Sequence, residues 1–153
     1  MMPRKQTRCR IRVSRLDGRQ RTLRPTVTAG MSLAAALRAK VTVLMATPPI
    51  PLVALEGLVA RAHNEELEQN ARDYAKKCHD VASEAAVAAG IRCETFHAKH
   101  DQPWATIIET AGQEGCDLIV MASRGSAGAA AIVLGSETNK VLTHSEIPVL
   151  VYH

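Results

Sequence analysis

The chain has 153 residues, 46% of them hydrophobic and 22% charged, with four cysteines and a formal net charge of +4. That length makes one domain with room for a substantial core, and no run of eighteen apolar residues offers a membrane span. The charge is uneven: residues 1–31 carry nine Lys/Arg against Asp17 alone (+8), which leaves ten basic and fourteen acidic side chains (−4) for the other 122.

The basic segment holds Arg4, Lys5, Arg8, Arg10, Arg12, Arg15, Arg19, Arg21 and Arg24. No apolar stretch follows these charges, as one would in a signal peptide. No aromatic residue is present to stack a base and no recognition helix comes after, so nucleic acid is not expected as a partner. Residues 8–16, RCRIRVSRL, alternate Arg8, Arg10 and Arg12 with Cys9, Ile11 and Val13, the pattern of a half-exposed or edge strand. Between two other strands this segment would bury three guanidinium groups with no acid nearby to pair them, at a cost of several kcal/mol each. The expectation is a first strand that is poorly formed or displaced. It would lie in an atypical segment 1–31, compatible with disorder, ahead of a domain at 32–153.

From there helical and strand patterns alternate. Ser32 to Arg38 (SLAAALR) reads as the last turns of a helix, and Lys40 to Ala46 (KVTVLMA) as a β-branched strand. Pro48, Pro49 and Pro51 forbid either element from continuing, so a loop follows. Leu52 to Ala89 has helical spacing, with Glu65, Glu66, Glu68, Arg72, Lys76 and Lys77 as its wet side and Gly90 as its C-cap. Arg92 to Ala98 alternates as a strand, and Pro103 suits the first position of a helix that ends by Gly115. Strand 117–122, a helix from Ser136 to His144 and strand Ile147–Tyr152 complete the chain. This alternation predicts an α/β fold, a single-domain open parallel sheet with helices on both faces. Cys9, Cys78, Cys93 and Cys116 form no C-x-x-C and read as reduced packing thiols, which fits a cytoplasmic protein. The six histidines are scattered without the helix-face spacing of a metal site.

Residues 117–136, DLIVMASRGSAGAAAIVLGS, carry the most chemistry. An apolar strand stops at Ala122-Ser123, passes through Arg124-Gly125, and nine residues later reaches Gly135-Ser136 at the start of a helical pattern. Small residues let the backbone approach an anion, its N–H groups point at it, and the helix dipole favours negative charge. Ser136 can donate its hydroxyl to a phosphate or cap the helix. Arg124 can reach a phosphate or stand as a surface arginine, and Glu137 suits the dipole of the first turn. In a parallel sheet ligands sit beyond the carboxyl ends of the strands, which adds the loop at Ala46-Thr47-Pro48.

From about Leu33 to His153 the sequence resembles the universal stress proteins, whose nucleotide-binding members carry Gly-x-x-Gly, nine residues, then Gly-Ser or Gly-Thr. Here the pattern is Ala122-Ser123-Arg124-Gly125, Ser126 to Leu134, then Gly135-Ser136, continued by SETNKVLTHSEIPVLVYH. Ala122 departs from the first glycine, so the turn there has to be reached with negative φ. The resemblance implies a Rossmann-type sheet of the adenine nucleotide alpha hydrolase-like kind, with the first strand central and the last at an edge. It further implies ATP, with magnesium, as the ligand. Ala46 would meet the adenine through its backbone, and Met121, Ala122, Arg124, Gly125, Gly135, Ser136 and Glu137 would form the phosphate side. The function implied is that of an adenine-nucleotide-binding regulator of the stress response. The alternatives are a member without nucleotide, acting through protein–protein contacts with unknown clients, or a very slow ATPase. A homodimer through the edge strand Ile147–Tyr152 is expected, because an apolar edge invites pairing with its own copy.

The first strand of that family ends in Asp-Gly-Ser. Asp17 to Leu23 can be encoded GAC GGA CGG CAG CGA ACA CTC, which one base later reads Thr-Asp-Gly-Ser-Glu-His-Ser. The expectation is that residues from about Arg8 to Gly30 are translated out of frame, with the frame recovered near Met31; the codons of the gene decide it.

Overall fold

The structure, a computed structural model, describes residues 8–12, 23–47, 49, 58–123 and 134–152. Strands and helices alternate through them: β1 (Arg8–Arg12), α1 (Leu23–Leu37), β2 (Lys40–Thr47), α2 (Leu58–Ala89), β3 (Cys93–Lys99), α3 (Pro103–Gln113), β4 (Leu118–Ala122), α4 (Ser136–His144) and β5 (Val149–Tyr152). Every strand pair is parallel, in the order β3-β2-β1-β4-β5, so the last strand takes the edge as expected. The helix read from its last turns at 32–38 begins at Leu23 and passes through residues 31 and 32 unbroken.

The first strand is not displaced. β1 is short, but it pairs with β2 from Arg8↔Lys40 to Arg12↔Leu44 and with β4 from Cys9↔Leu118 to Ile11↔Val120. The physical reason lies in its neighbours. Val43 to Thr47 of β2 and Ile119 to Met121 of β4 are buried, and both strands turn a row of N–H and C=O groups toward the middle of the sheet. Without a strand between them those groups would be buried unpaired, each at a cost of about 1–3 kcal/mol. That sum outweighs the charge pattern of the segment.

Pleating divides the core between the two faces. Val41, Val43 and Met45 of β2 and Val120 of β4 pack with Val27, Met31 and Ala34 of α1 and with Cys78, Ala82 and Ala86 of α2. The alternate residues, Leu44 and Ala46 of β2 and Ile119 and Met121 of β4, pack with Ile107 and Ala111 of α3 and Val141 of α4. Successive strand residues therefore serve opposite helix layers. Cys78, Cys93 and Cys116 are reduced thiols in this packing, and burial pushes the Cys78 thiol up to about 11. A thiol that stays protonated is a poor nucleophile.

Three helices stop in the same way before the next strand. Arg38, Gly90 and Gly115 take left-handed φ of 52°, 67° and 61°. Their N–H groups donate to Ala35, Val87 and Gly112, while Ala39, Ile91 and Cys116 donate to Ala34, Ala86 and Ala111. This paired closure satisfies the last carbonyls and turns the chain back to the sheet. Arg38 alone does it with a Cβ, at a cost of about 1 kcal/mol. Replacing Arg38 with Gly is therefore expected to stabilise the protein by roughly 0.5–1 kcal/mol in urea denaturation; a loss of stability would show that the arginine side chain matters more than the strain.

Candidate functional site

The chain leaves β1 toward β2 and β3 on one side and returns to β4 and β5 on the other, so strand order reverses between β1 and β4. In open parallel sheets successive crossovers diverge to opposite sides at such a reversal, so a crevice is expected at the carboxyl ends of the strands. Ile11 lies level with Val43 and Val120. Ala122 is therefore two residues, and Ala46 three residues, beyond that level at the carboxyl ends of strands flanking β1.

The glycine-loop ends are brought together. Ser123 N–H donates to Tyr152 O at 2.7 Å, Gly135 N–H donates to Ser123 O at 2.8 Å, and Asn139 N–H donates to Gly135 O at 2.9 Å. Ser123 is buried, and so is Thr138, whose hydroxyl donates to Ala122 O at 3.0 Å. The end of β4 is thus tied to the first turn of α4 by backbone and side chain together. Ala122 closes β4 in an extended conformation, and Arg38 is the one non-glycine residue with positive φ among those described. No glycine is required at 122, because the residue ends a strand before the loop turns.

Two further readings shift. Gly135, at φ −57° and ψ 141°, takes the N-cap position, which was one of the two roles open to Ser136. Ser136 follows as the first helical residue, and it is exposed. Met121 is fully buried in the α3/α4 core and can meet a ligand only through its backbone. Arg124, Gly125 and the Asp17–Gly18 segment lie outside the described residues.

On the β2 side, Ala46 and Thr47 are both buried. The Thr47 hydroxyl and His97 Nε2 are 3.0 Å apart, and the Thr47 carbonyl accepts the His100 N–H at 2.9 Å. Desolvation, and then the positive charge of Lys99, lowers the His97 pKa and favours the neutral ring. Glu137 accepts the Trp104 N–H at 2.9 Å and lies 3.4 Å from Lys140 Nζ, while the Trp104 ring stands 4.6 Å from that of His144. Thr138 and Trp104 were not singled out from sequence, and Ser123 and Thr47 were named only as loop positions without these contacts. Thr138 has a local signal, since it stands three residues before Val141 on the buried face of α4; the others depend on contacts between distant segments.

A groove of about 700 Å³ lies at the opposite end of the sheet, by Arg38, Lys40, Arg92, Glu94 and Glu114. Its cations sit where the C-termini of α1 and α2 attract positive charge. Such cations are explained without a ligand.

Residues 16–153 match the family described as the universal stress protein family. The chain belongs to that family. Among curated members it is 30% identical over 112 residues to the universal stress protein in the QAH/OAS sulfhydrylase 3′ region of Thermus aquaticus, covering 73% of this chain and 76% of that one. It is 33% identical over 87 residues to the universal stress protein YxiE of Bacillus subtilis, covering 57% of this chain and 58% of that one, less than two thirds of that protein. The fold agrees with universal stress protein UspA from Lactobacillus plantarum at a TM-score of 0.71, 20% identity and 97% and 100% coverage. A universal stress protein solved in complex with cAMP superposes at 0.61, with 23% identity and 96% and 98% coverage. The universal stress protein from Archaeoglobus fulgidus in complex with dAMP also superposes at 0.61, with 14% identity and 95% and 96% coverage.

Proposed function

We propose that this universal stress protein is a regulatory stress-response protein that binds an adenine nucleotide at the β1/β4 switch point, with ATP and magnesium as its ligand. The observation that carries this reading is the junction of Ala122-Ser123 with Gly135-Ser136. A strand end and a helix N-terminus with an exposed serine meet there, a combination suited to phosphate. Ala46 and Thr47 would offer backbone to the base from the strand beyond β1, the family's sequence pattern assigns Arg124 and Gly125 to the phosphate side, and the cAMP and dAMP complexes of neighbouring folds support the ligand class. Equilibrium binding of labelled ATP, with and without magnesium, is expected to saturate and to be competed by AMP. An absence of saturable binding by either nucleotide would remove the reading.

The same reading includes a homodimer through β5. This edge strand exposes Leu150 (44%) and Tyr152 (38%), while Val149 packs against the α3/α4 core. Pro148, which lacks an N–H, stands just before the strand, as suits an edge. Leu150→Lys with Tyr152→Lys is therefore the informative variant, because it charges the exposed stripe without opening the core. Light scattering is expected to show a dimer for the native chain and a monomer for the variant; a native monomer at micromolar concentration would contradict the assembly. The dispersed thiols support a cytoplasmic setting, and no helix among the described residues is long and apolar enough to cross a membrane.

A further inference from the structure

The two sides of the crevice come from segments far apart in the chain, and they are joined by a short line of hydrogen bonds. On the phosphate side, α4 begins at Ser136, and Glu137 is its second residue. The Glu137 side chain is mostly buried, at 19% exposure, and both its oxygens are engaged: Oε2 with the Trp104 N–H at 2.9 Å and Oε1 with Lys140 Nζ at 3.4 Å. Trp104 is the second residue of α3, a helix whose N-cap, Gln102, makes no side-chain cap bond. Glu137 therefore supplies, from another helix, the acceptor that the local cap lacks.

The line continues past α3. Gln102 N–H donates to His100 Nδ1 at 3.0 Å, and His100 N–H donates to the Thr47 carbonyl at 2.9 Å. Thr47 directly follows Ala46, on the side where the base would lie. From Ser136 to Ala46 the connection thus runs through Glu137, Trp104, the 100–102 turn and Thr47, with Glu137 bonding one helix to the other beside the Trp104–His144 ring contact.

We propose that Glu137 is a positioning residue: its carboxylate straps the start of α4 to the start of α3 and so sets the span between the phosphate side and the base side of the crevice. This rests on the nucleotide reading above. A carboxylate at a helix N-terminus also interacts with the dipole through its charge alone, and that role needs no reach to Trp104. Two variants separate reach from charge. Glu137→Gln keeps an acceptor oxygen at the same distance and removes the charge. Glu137→Asp keeps the charge and shortens the side chain by one methylene, withdrawing the acceptor from Trp104.

Strapping predicts that the Asp variant binds ATP at least tenfold more weakly than the Gln variant. It also predicts faster amide hydrogen exchange in the Asp variant at Trp104 and, decisively, at His100, which Glu137 does not touch, with native rates in the Gln variant. The proposal is overturned if Asp behaves as native, if Gln is the weaker binder, or if exchange at His100 is unchanged in Asp. Should the native chain bind no nucleotide, the function proposed above fails instead, and exchange at His100 still decides the strap.

Discussion

Replacing Gly135 with Val is expected to weaken ATP binding at least tenfold while leaving the protein folded. At φ −57° and ψ 141° the residue occupies a region open to every amino acid, so glycine is not needed there for conformational freedom. What it supplies is the missing Cβ, at the N-cap of α4 and beside the Ser123 carbonyl that its own N–H contacts. A branched side chain at that point would stand where an anion must approach the N–H groups of the first turn. Exchanging a tolerated N-cap for a poor one costs about 1 kcal/mol. Parallel measurement of ATP affinity and urea denaturation separates the two effects. A folded variant with native affinity would mean that the loop closes the fold and holds no phosphate.

Replacing Ile107 with Ala is expected to cost about 2–5 kcal/mol, a large share of the roughly 5–15 kcal/mol that stabilises a domain. Ile107 is fully buried on α3, in the cluster formed by Leu44 and Ala46 of β2, Ile119 and Met121 of β4 and Val141 of α4. These neighbours come from two strands and a second helix, so no single element can shift to fill the space without disturbing another. The loss should therefore fall in the upper part of the range for cavity-forming substitutions. Equilibrium unfolding in urea measures it, and a loss below about 1 kcal/mol would show that the α3 layer collapses around the vacancy. The substitution also loosens the layer beneath Ala46 and Ala122, so weaker nucleotide binding should accompany the lost stability.

Much of the architecture was legible because it is encoded in neighbouring residues. The β-branched run 40–46, Pro103 at a helix start and the helical spacing from Ser136 to His144 each specify an element through local backbone preference and periodicity, and each forms where expected. The edge position of β5 was legible for the same kind of reason, since Pro148 cannot donate to a ladder on both sides. The glycine-loop spacing marked the end of β4 and the start of α4 as the place to look for a site. Its chemistry depends on small residues and a helix N-terminus, and both appear directly in the order of amino acids.

What local pattern could not decide was which segments meet. The arginine alternation of residues 8–12 favours an edge, yet β1 lies between β2 and β4, because two buried strands would otherwise face each other with unpaired N–H and C=O groups. Glu137 reads from sequence as a first-turn carboxylate. Its partner is an amide 33 positions earlier in the chain, reached only because α3 and α4 pack on the same face. Likewise, Thr47 acquires its place by holding His97 and His100 of the next strand and turn. The sequence alone therefore determined the elements, their order and the small-residue loop, whose energetics lie within a few residues. Only the tertiary structure decided the centre of the sheet and the bonds that join the two sides of the crevice, since these satisfy groups that are far apart until the chain is folded.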